Sequence, residues 1–272
     1  MKSNGNGLRF YAITYLAFLY APIFLLPLFA FNDGTIIAFP LKGFTTHWFS
    51  AMAEQDELRK AVRNSLIVAL STSVVATSLA IFAARASTRF DFRGKGGIMA
   101  LIMLPLVLPE IIMAMAILVV VLQVLGDNAL GLFTIILGHS LVCTPFAIAI
   151  LSAAFQSLDK SLEEAAYDLG EGRISTFRLV ILPLVMPGII SSVLICFTIS
   201  MDEFILANFL GGTRPTLPVY IYSQLRFPKA IPVIMAVATC LVAVSICLLI
   251  IAEYFRRRGV AKTGGKDSGG FL

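Results

Sequence analysis

Of 272 residues, 58% are hydrophobic and 14% charged, with a mean hydropathy of +0.89, a balance that excludes an ordinary soluble domain and makes the bilayer the expected solvent. The net charge of +5 does not point to nucleic acid, because lysines and arginines gather in short segments between apolar runs, a pattern of membrane topology. Cys143, Cys196, Cys240 and Cys247 all lie inside those runs, where cysteine serves as a small hydrophobe rather than a disulfide partner or metal ligand.

Six stretches are long and apolar enough to cross about 30 Å of hydrocarbon: 9–31, 62–84, 98–125, 132–155, 184–207 and 231–254. The expected fold is an all-α membrane protein of six transmembrane helices with both termini on one side. The first stretch reads as an uncleaved anchor, since its apolar core exceeds the roughly 7–15 residues of a secretory signal and Leu28-Phe29-Ala30 lacks a small-x-small cleavage pattern. Trp48, in the loop that follows, is expected as an interfacial anchor, and His47 and His139 lack the neighbours that a metal site needs.

The third stretch carries Leu104–Pro109 and the fifth Leu182–Pro187, each with proline at i and i+4. Paired prolines remove backbone donors and permit bends, although the same pattern also suits ordinary helix starts. Glu110 follows the first pair, and Asp202 and Glu203 fall in the outer part of the fifth stretch. A charged group at depth costs about 2.5–3.5 kcal/mol on insertion scales, so these carboxylates are expected to face a cavity or a partner. Two readings stand for Asp202 and Glu203: lining a path, or lying near the interface solvated or paired with Arg214 or Arg226.

Between the fourth and fifth stretches the chain turns polar. Ser161-Leu162-Glu163-Glu164 fits a capping box that starts a helix, and Gly170 is placed to end it. Leu158, Leu162, Ala165, Ala166 and Leu169 recur at i, i+4, i+7, i+8 and i+11 as one apolar stripe, with Lys160, Glu163, Tyr167 and Asp168 on other faces. Alanine at the centre of the stripe lets another surface approach closely, as a docking ridge requires; a loop helix without a partner would show the same periodicity. Ile174–Leu182 forms a second amphipathic piece leading to Pro183, which suits a helix's first turn.

Placing the N-terminus, 85–97, 156–183 and the tail on one side collects fourteen of the twenty-one lysines and arginines. By the positive-inside rule that side is cytoplasmic, and both termini with it. The tail Gly259–Leu272 is expected to be irregular and held near the membrane by Arg256–Arg258. No G-x-x-x-x-G-K-[ST] occurs, so ATP cannot be bound here by a P-loop, and no nucleophile elbow or HExxH indicates an enzyme.

Glu164-Ala165-Ala166, three residues, Gly170, nine residues, then Val180-Ile181-Leu182-Pro183 resembles the EAA loop of binding-protein-dependent ABC importer permeases, with valine where the family usually has isoleucine. The resemblance spans about 60–255, the type I permease core, leaving 1–59 as an N-terminal transmembrane anchor with its outer loop and 256–272 as a cytoplasmic tail. It implies a coupling helix seated in a cleft of an ATP-hydrolysing subunit, with Glu164, Ala165, Ala166, Gly170, Leu182 and Pro183 as coupling residues. It further implies a transport subunit rather than an enzyme, with no cofactor of its own. ATP and magnesium belong to a pair of ATPase subunits; the other partners are a second related permease, an extracytoplasmic solute-binding protein and the lipid of a bacterial cytoplasmic (inner) membrane.

A narrower resemblance lies in Ser200-Met201-Asp202-Glu203-Phe204 and in Pro215–Ser223, which are similar to the second permease subunit of spermidine/putrescine transporters, where Asp-Asp often stands in place of Asp202-Glu203. It implies a small organic cation as solute and Asp202, Glu203, Glu110 and Tyr220 along its path. A betaine, opine or amino-acid derivative is the alternative solute, and an ion-coupled secondary transporter the alternative mechanism.

Overall fold

The computed structural model describes residues 5–263. In chain order the helices are α1 (Gly5–Ala30), α2 (His47–Ala53), α3 (Asp56–Arg89), α4 (Lys95–Met103), α5 (Glu110–Leu125), α6 (Leu132–Gln156), α7 (Ser161–Asp168), α8 (Arg173–Thr176), α9 (Leu182–Asp202), α10 (Ile205–Leu210), α11 (Leu217–Gln224) and α12 (Ile231–Thr263). No strand forms among the described residues, in keeping with the all-α expectation. The chain divides into two units, Asp56–Tyr222, and Met1–Gln55 with Ser223–Leu272.

Small side chains set the spacing of the first unit. Ala61, Ser65, Ala69, Ala76, Ala80 and Ala84 are buried along one side of α3, so its backbone comes close to α6 and α9, which also pack on each other. A Cβ on Gly188 of α9 would lie 2.7 Å from the Ala154 Cβ of α6; the missing side chain fixes how near those helices come. Polar groups add bonds across the same seams. Thr77 and Ser192 hydroxyls meet at 3.1 Å, His139 Nδ1 and Ser200 Oγ at 2.8 Å, and the buried Cys143 and Cys196 thiols each reach the other's carbonyl at 3.6 and 3.7 Å. The cysteines thus pack as small buried groups, each with a weak S–H bond.

Two apolar clusters occupy this unit. One gathers Ala80, Ala84, Ile148, Leu151, Phe155, Ile181 and Val185. The other gathers Val68, Met113, Ile135, Val142, Leu206 and Leu210. In the second unit α1 and α2 pack on α12, and the loop after α1 closes on Asn32. Its side-chain oxygen accepts the Lys42 N–H at 3.0 Å and its carbonyl accepts the Trp48 indole N–H at 2.8 Å. The Trp48 donor is therefore committed to the loop.

Five described helical segments are long and apolar enough to span a membrane: Gly7–Ala30, Asp56–Arg89, Leu132–Gln156, Arg173–Asp202 and Pro228–Cys247. The expected third span is not one straight helix. Lys95–Leu106 and Glu110–Leu125 meet at 104°, and six crossings result only if that bent pair counts as one. The cause is the proline pair: Pro105 sits in a short 3-10 turn, Leu104–Leu106, and Pro109 is extended, with ψ 129°. Its counterpart, Pro183 and Pro187, stays within α9, entered through a wide turn over Phe177–Ile181. Pro183, which has no N–H to give, follows directly on that turn, where the Leu182 N–H donates to Phe177 O.

Two other boundaries shift from expectation. The fifth span ends at Asp202, and Glu203 and Phe204 turn the chain into α10 rather than continuing to 207. Helix α12 runs to Thr263, past the expected apolar stretch 231–254 and into the first residues of the expected irregular tail Gly259–Leu272. The remaining tail 264–272, the side chains of Arg256–Arg258, and Lys2 lie outside the described residues.

Candidate coupling site and translocation path

Helix α7 is short, and its ends are held by specific bonds. The expected Ser161–Glu164 capping box does not form. Instead the Asp159 carboxylate accepts the Ser161 N–H at 3.0 Å, and that backbone donor, helped by the Ser161 side chain, holds the Asp159 carboxyl below its usual range. A cap two residues earlier serves the same orphan donors. At the other end Gly170 adopts φ +86°. Its N–H donates to Tyr167 O at 2.9 Å and the Glu171 N–H to Ala166 O at 3.0 Å, the paired bonds of a Schellman termination.

The faces of α7 differ from the periodicity reading in one respect. Ala166 is 6% exposed and Leu158 is packed on the neighbouring apolar cluster, but Leu162, Ala165 and Leu169 are exposed, Leu169 to 86%. The stripe is split between the chain's own bundle and open surface. Glu164 is exposed as well. Glu163, expected on another face, points inward with its side chain only 14% exposed.

What it meets was not foreseen from the sequence. Arg85 Nη2 lies 3.2 Å and Arg89 Nε 3.0 Å from the Glu163 carboxylate. Arg89 Nη2 also donates to Leu158 O at 2.9 Å, and the Arg85 guanidinium lies 5.1 Å from the centre of the Phe177 ring. A cleft of about 670 Å³ opens beside this cluster, lined in part by Phe82, Phe90, Tyr167 and Ile174. The available signal was the i, i+4 spacing of Arg85 and Arg89 on one face of α3, since two adjacent cations call for an anion. Beyond α7, Ile181 and Val185 are buried and anchor the start of α9, leaving Leu182 half-buried and Pro183 exposed.

The candidate path residues take different roles. Glu110 is the first residue of α5, exposed, immediately after the break at Pro109. Asp202 is the last residue of α9 and is exposed. Glu203 is buried, and its Oε1 accepts the Leu206 N–H at 2.9 Å, capping α10. Helix α5, which Glu110 opens, packs on α10, which Glu203 caps. No ion pair joins Asp202 or Glu203 to Arg214 among the described residues, so that part of the interface reading does not hold. Tyr220, in α11, is buried, and the Phe204 and Tyr222 rings lie 4.8 Å apart. The structure brings the helices of Glu110 and Glu203 together, while the α7 residues form a separate site.

Comparison with known proteins agrees with this architecture. The putrescine transport system permease protein PotI of Escherichia coli (strain K12) is 34% identical over 247 residues, 89% of this chain and 87% of that one. The spermidine/putrescine transport system permease protein PotC of Shigella flexneri is 32% identical over 250 residues, 92% and 93% of the two chains. A solved bacterial ABC transporter involved in the import of the acidic polysaccharide alginate matches with a TM-score of 0.68 at 16% identity, over 94% of this chain and 99% of that one, a likeness of fold. With the family model for binding-protein-dependent transport system inner membrane components matching residues 76–259, most of the helical core and the whole α7 loop fall inside one match, and the chain belongs to that family, as a type I ABC permease subunit related to the polyamine transporters.

Proposed function

We propose that this permease conducts a small organic cation, a polyamine such as putrescine or spermidine, into the cell. The observation that carries the reading is the pair of relatives named for putrescine and spermidine/putrescine, each aligned over nearly all of both chains. The chemistry is consistent with it. Exposed Asp202 and Glu110, the latter on a helix packed against the one that Glu203 caps, offer carboxylates that can replace part of the hydration shell of an ammonium group as it leaves water.

In this reading an extracytoplasmic binding protein delivers the solute to this chain and a second, related permease. Two ATPase subunits, which hold the ATP and magnesium, close on the coupling helices and switch the pathway. Helix α7 is the coupling helix, with Glu164, Ala165, Ala166 and Gly170 at the ATPase and Leu182 and Pro183 passing its movement into α9. Both termini are cytoplasmic. Residues 60–255 form the transport core, 1–59 an anchor with its outer loop, and 256–272 a tail; the family match over 76–259 supports the central part of that division.

The test is uptake of labelled putrescine and spermidine by cells that depend on this system, with betaine and amino-acid competitors as alternatives. Asp202→Asn is expected to lower polyamine uptake several-fold while the ATPase subunit still copurifies. Glu203→Gln keeps an acceptor for the Leu206 N–H, so it removes charge while preserving the cap. Polyamine uptake that is absent in the wild type, or unchanged in both variants, would remove this solute or these residues from the proposal.

A further inference from the structure

Helix α3 is held at its Arg89 end, and again at Asn64 and Ser65 in its first third, by side chains that bond to segments far away in sequence. At the Arg89 end, Arg85 and Arg89 share the Glu163 carboxylate of α7, and Arg89 also holds the Leu158 carbonyl just before α7. These side chains are largely enclosed, at 18%, 9% and 14% exposure. Toward the opposite end, the Asn64 amide donates to Pro215 O at 2.9 Å, and the buried Ser65 Oγ accepts the Leu217 N–H at 2.8 Å. Leu217 opens α11, so Ser65 supplies an acceptor to a helix terminus that its own chain segment leaves unpaired.

Between those attachments α3 has no weak point. The 34 residues of α3 contain neither glycine nor proline, the usual causes of a hinge, and the stretch between the attachments rises about 30–35 Å. Alanines 69, 76, 80 and 84 are completely buried, so the helix is backed along its length by α6 and α9. A displacement at one end of such a helix is carried to the other with little loss to bending.

We propose that α3 is a rigid strut that joins α7 to the 215–217 segment, through Arg85 and Arg89 on Glu163 at one end and Asn64 and Ser65 at the other, so that both segments move together. Arg85, Arg89, Asn64 and Ser65 are positioning residues. The inference rests on α7 being the coupling helix and deepens that assignment by naming the route from it to the opposite face. A merely stabilising role would leave the two ends independent. A strut makes them links in series.

Series and independence are separable by a double-mutant cycle. The assembled transporter, with its partner permease and ATPase subunits, is reconstituted in vesicles. Stimulation of ATP hydrolysis by the putrescine-loaded binding protein is then compared with hydrolysis in its absence. Glu163→Gln and Ser65→Ala are each expected to reduce the stimulation roughly tenfold, within the range of allosteric coupling energies, and the double variant is expected to be no worse than the more severe single one. Retained stimulation in either single variant, or losses that multiply in the double variant, would overturn the strut. If Glu163→Gln does not assemble, Arg85→Lys with Arg89→Lys takes its place, keeping charge but losing the planar fork. Failure of the ATPase subunit to copurify with the wild-type chain would instead overturn the coupling assignment, and absence of stimulation in the wild type would overturn the solute.

Discussion

Gly170 separates conformation from contact at the end of α7. It has φ +86°, and a Cβ placed there would meet nothing within 4 Å, so any penalty on replacing it is one of backbone geometry. A left-handed conformation costs an L-residue about 1–2 kcal/mol, with asparagine tolerated best and β-branched side chains worst. Uptake per ATP hydrolysed is expected to fall in the order wild type, Gly170→Asn, Gly170→Ala, Gly170→Val; equal ratios for all four would show that this termination does not matter to transport. Glu163 illustrates the opposite case. Its value lies in contacts with Arg85 and Arg89, one of them 78 positions away in sequence, and no local pattern around residue 163 announces it.

At the scale of elements, helix spacing is written in small side chains. Gly188 allows α9 to approach Ala154 of α6, and Gly188→Leu is expected to force those helices apart at a cost of about 1–3 kcal/mol, read as a lower unfolding temperature of the detergent-purified complex. An unchanged temperature would mean that the seam can open without penalty. The apolar runs made most spans legible in the sequence, because a crossing helix needs continuous length, and Gly170 was legible because a helix end with positive φ favours glycine. The proline pairs were only half legible. The same spacing broke the chain at Pro109 and left α9 continuous, since a wide turn before Pro183 takes up the missing donor in one case and Pro109 turns extended in the other. The α7 cap was misplaced for a similar reason: Asp159 and Ser161 both have capping side chains, and only the backbone path chose between them.

At the scale of the whole molecule, membership of the type I permease family leads to the expectation that separate ATPase subunits supply the energy. Pull-down of this chain in mild detergent is expected to recover a nucleotide-binding subunit at two copies per assembly, and cysteine labelling of intact cells to find residue 2 shielded from impermeant reagents. Solute movement through vesicles by the chain alone would contradict the first expectation, and labelling from outside the second. The right-angled join between Lys95–Leu106 and Glu110–Leu125 has a consequence for the surrounding lipid. Two helices at 104° cannot both follow the bilayer normal. With α5 upright, the outward apolar side chains Ile98, Leu101 and Leu104 rest along the plane of the headgroups, as in an interfacial helix. The sixteen residues of α5 then rise only about 24 Å, several ångströms short of the roughly 30 Å of hydrocarbon, a mismatch that thinning of the adjoining lipid would relieve.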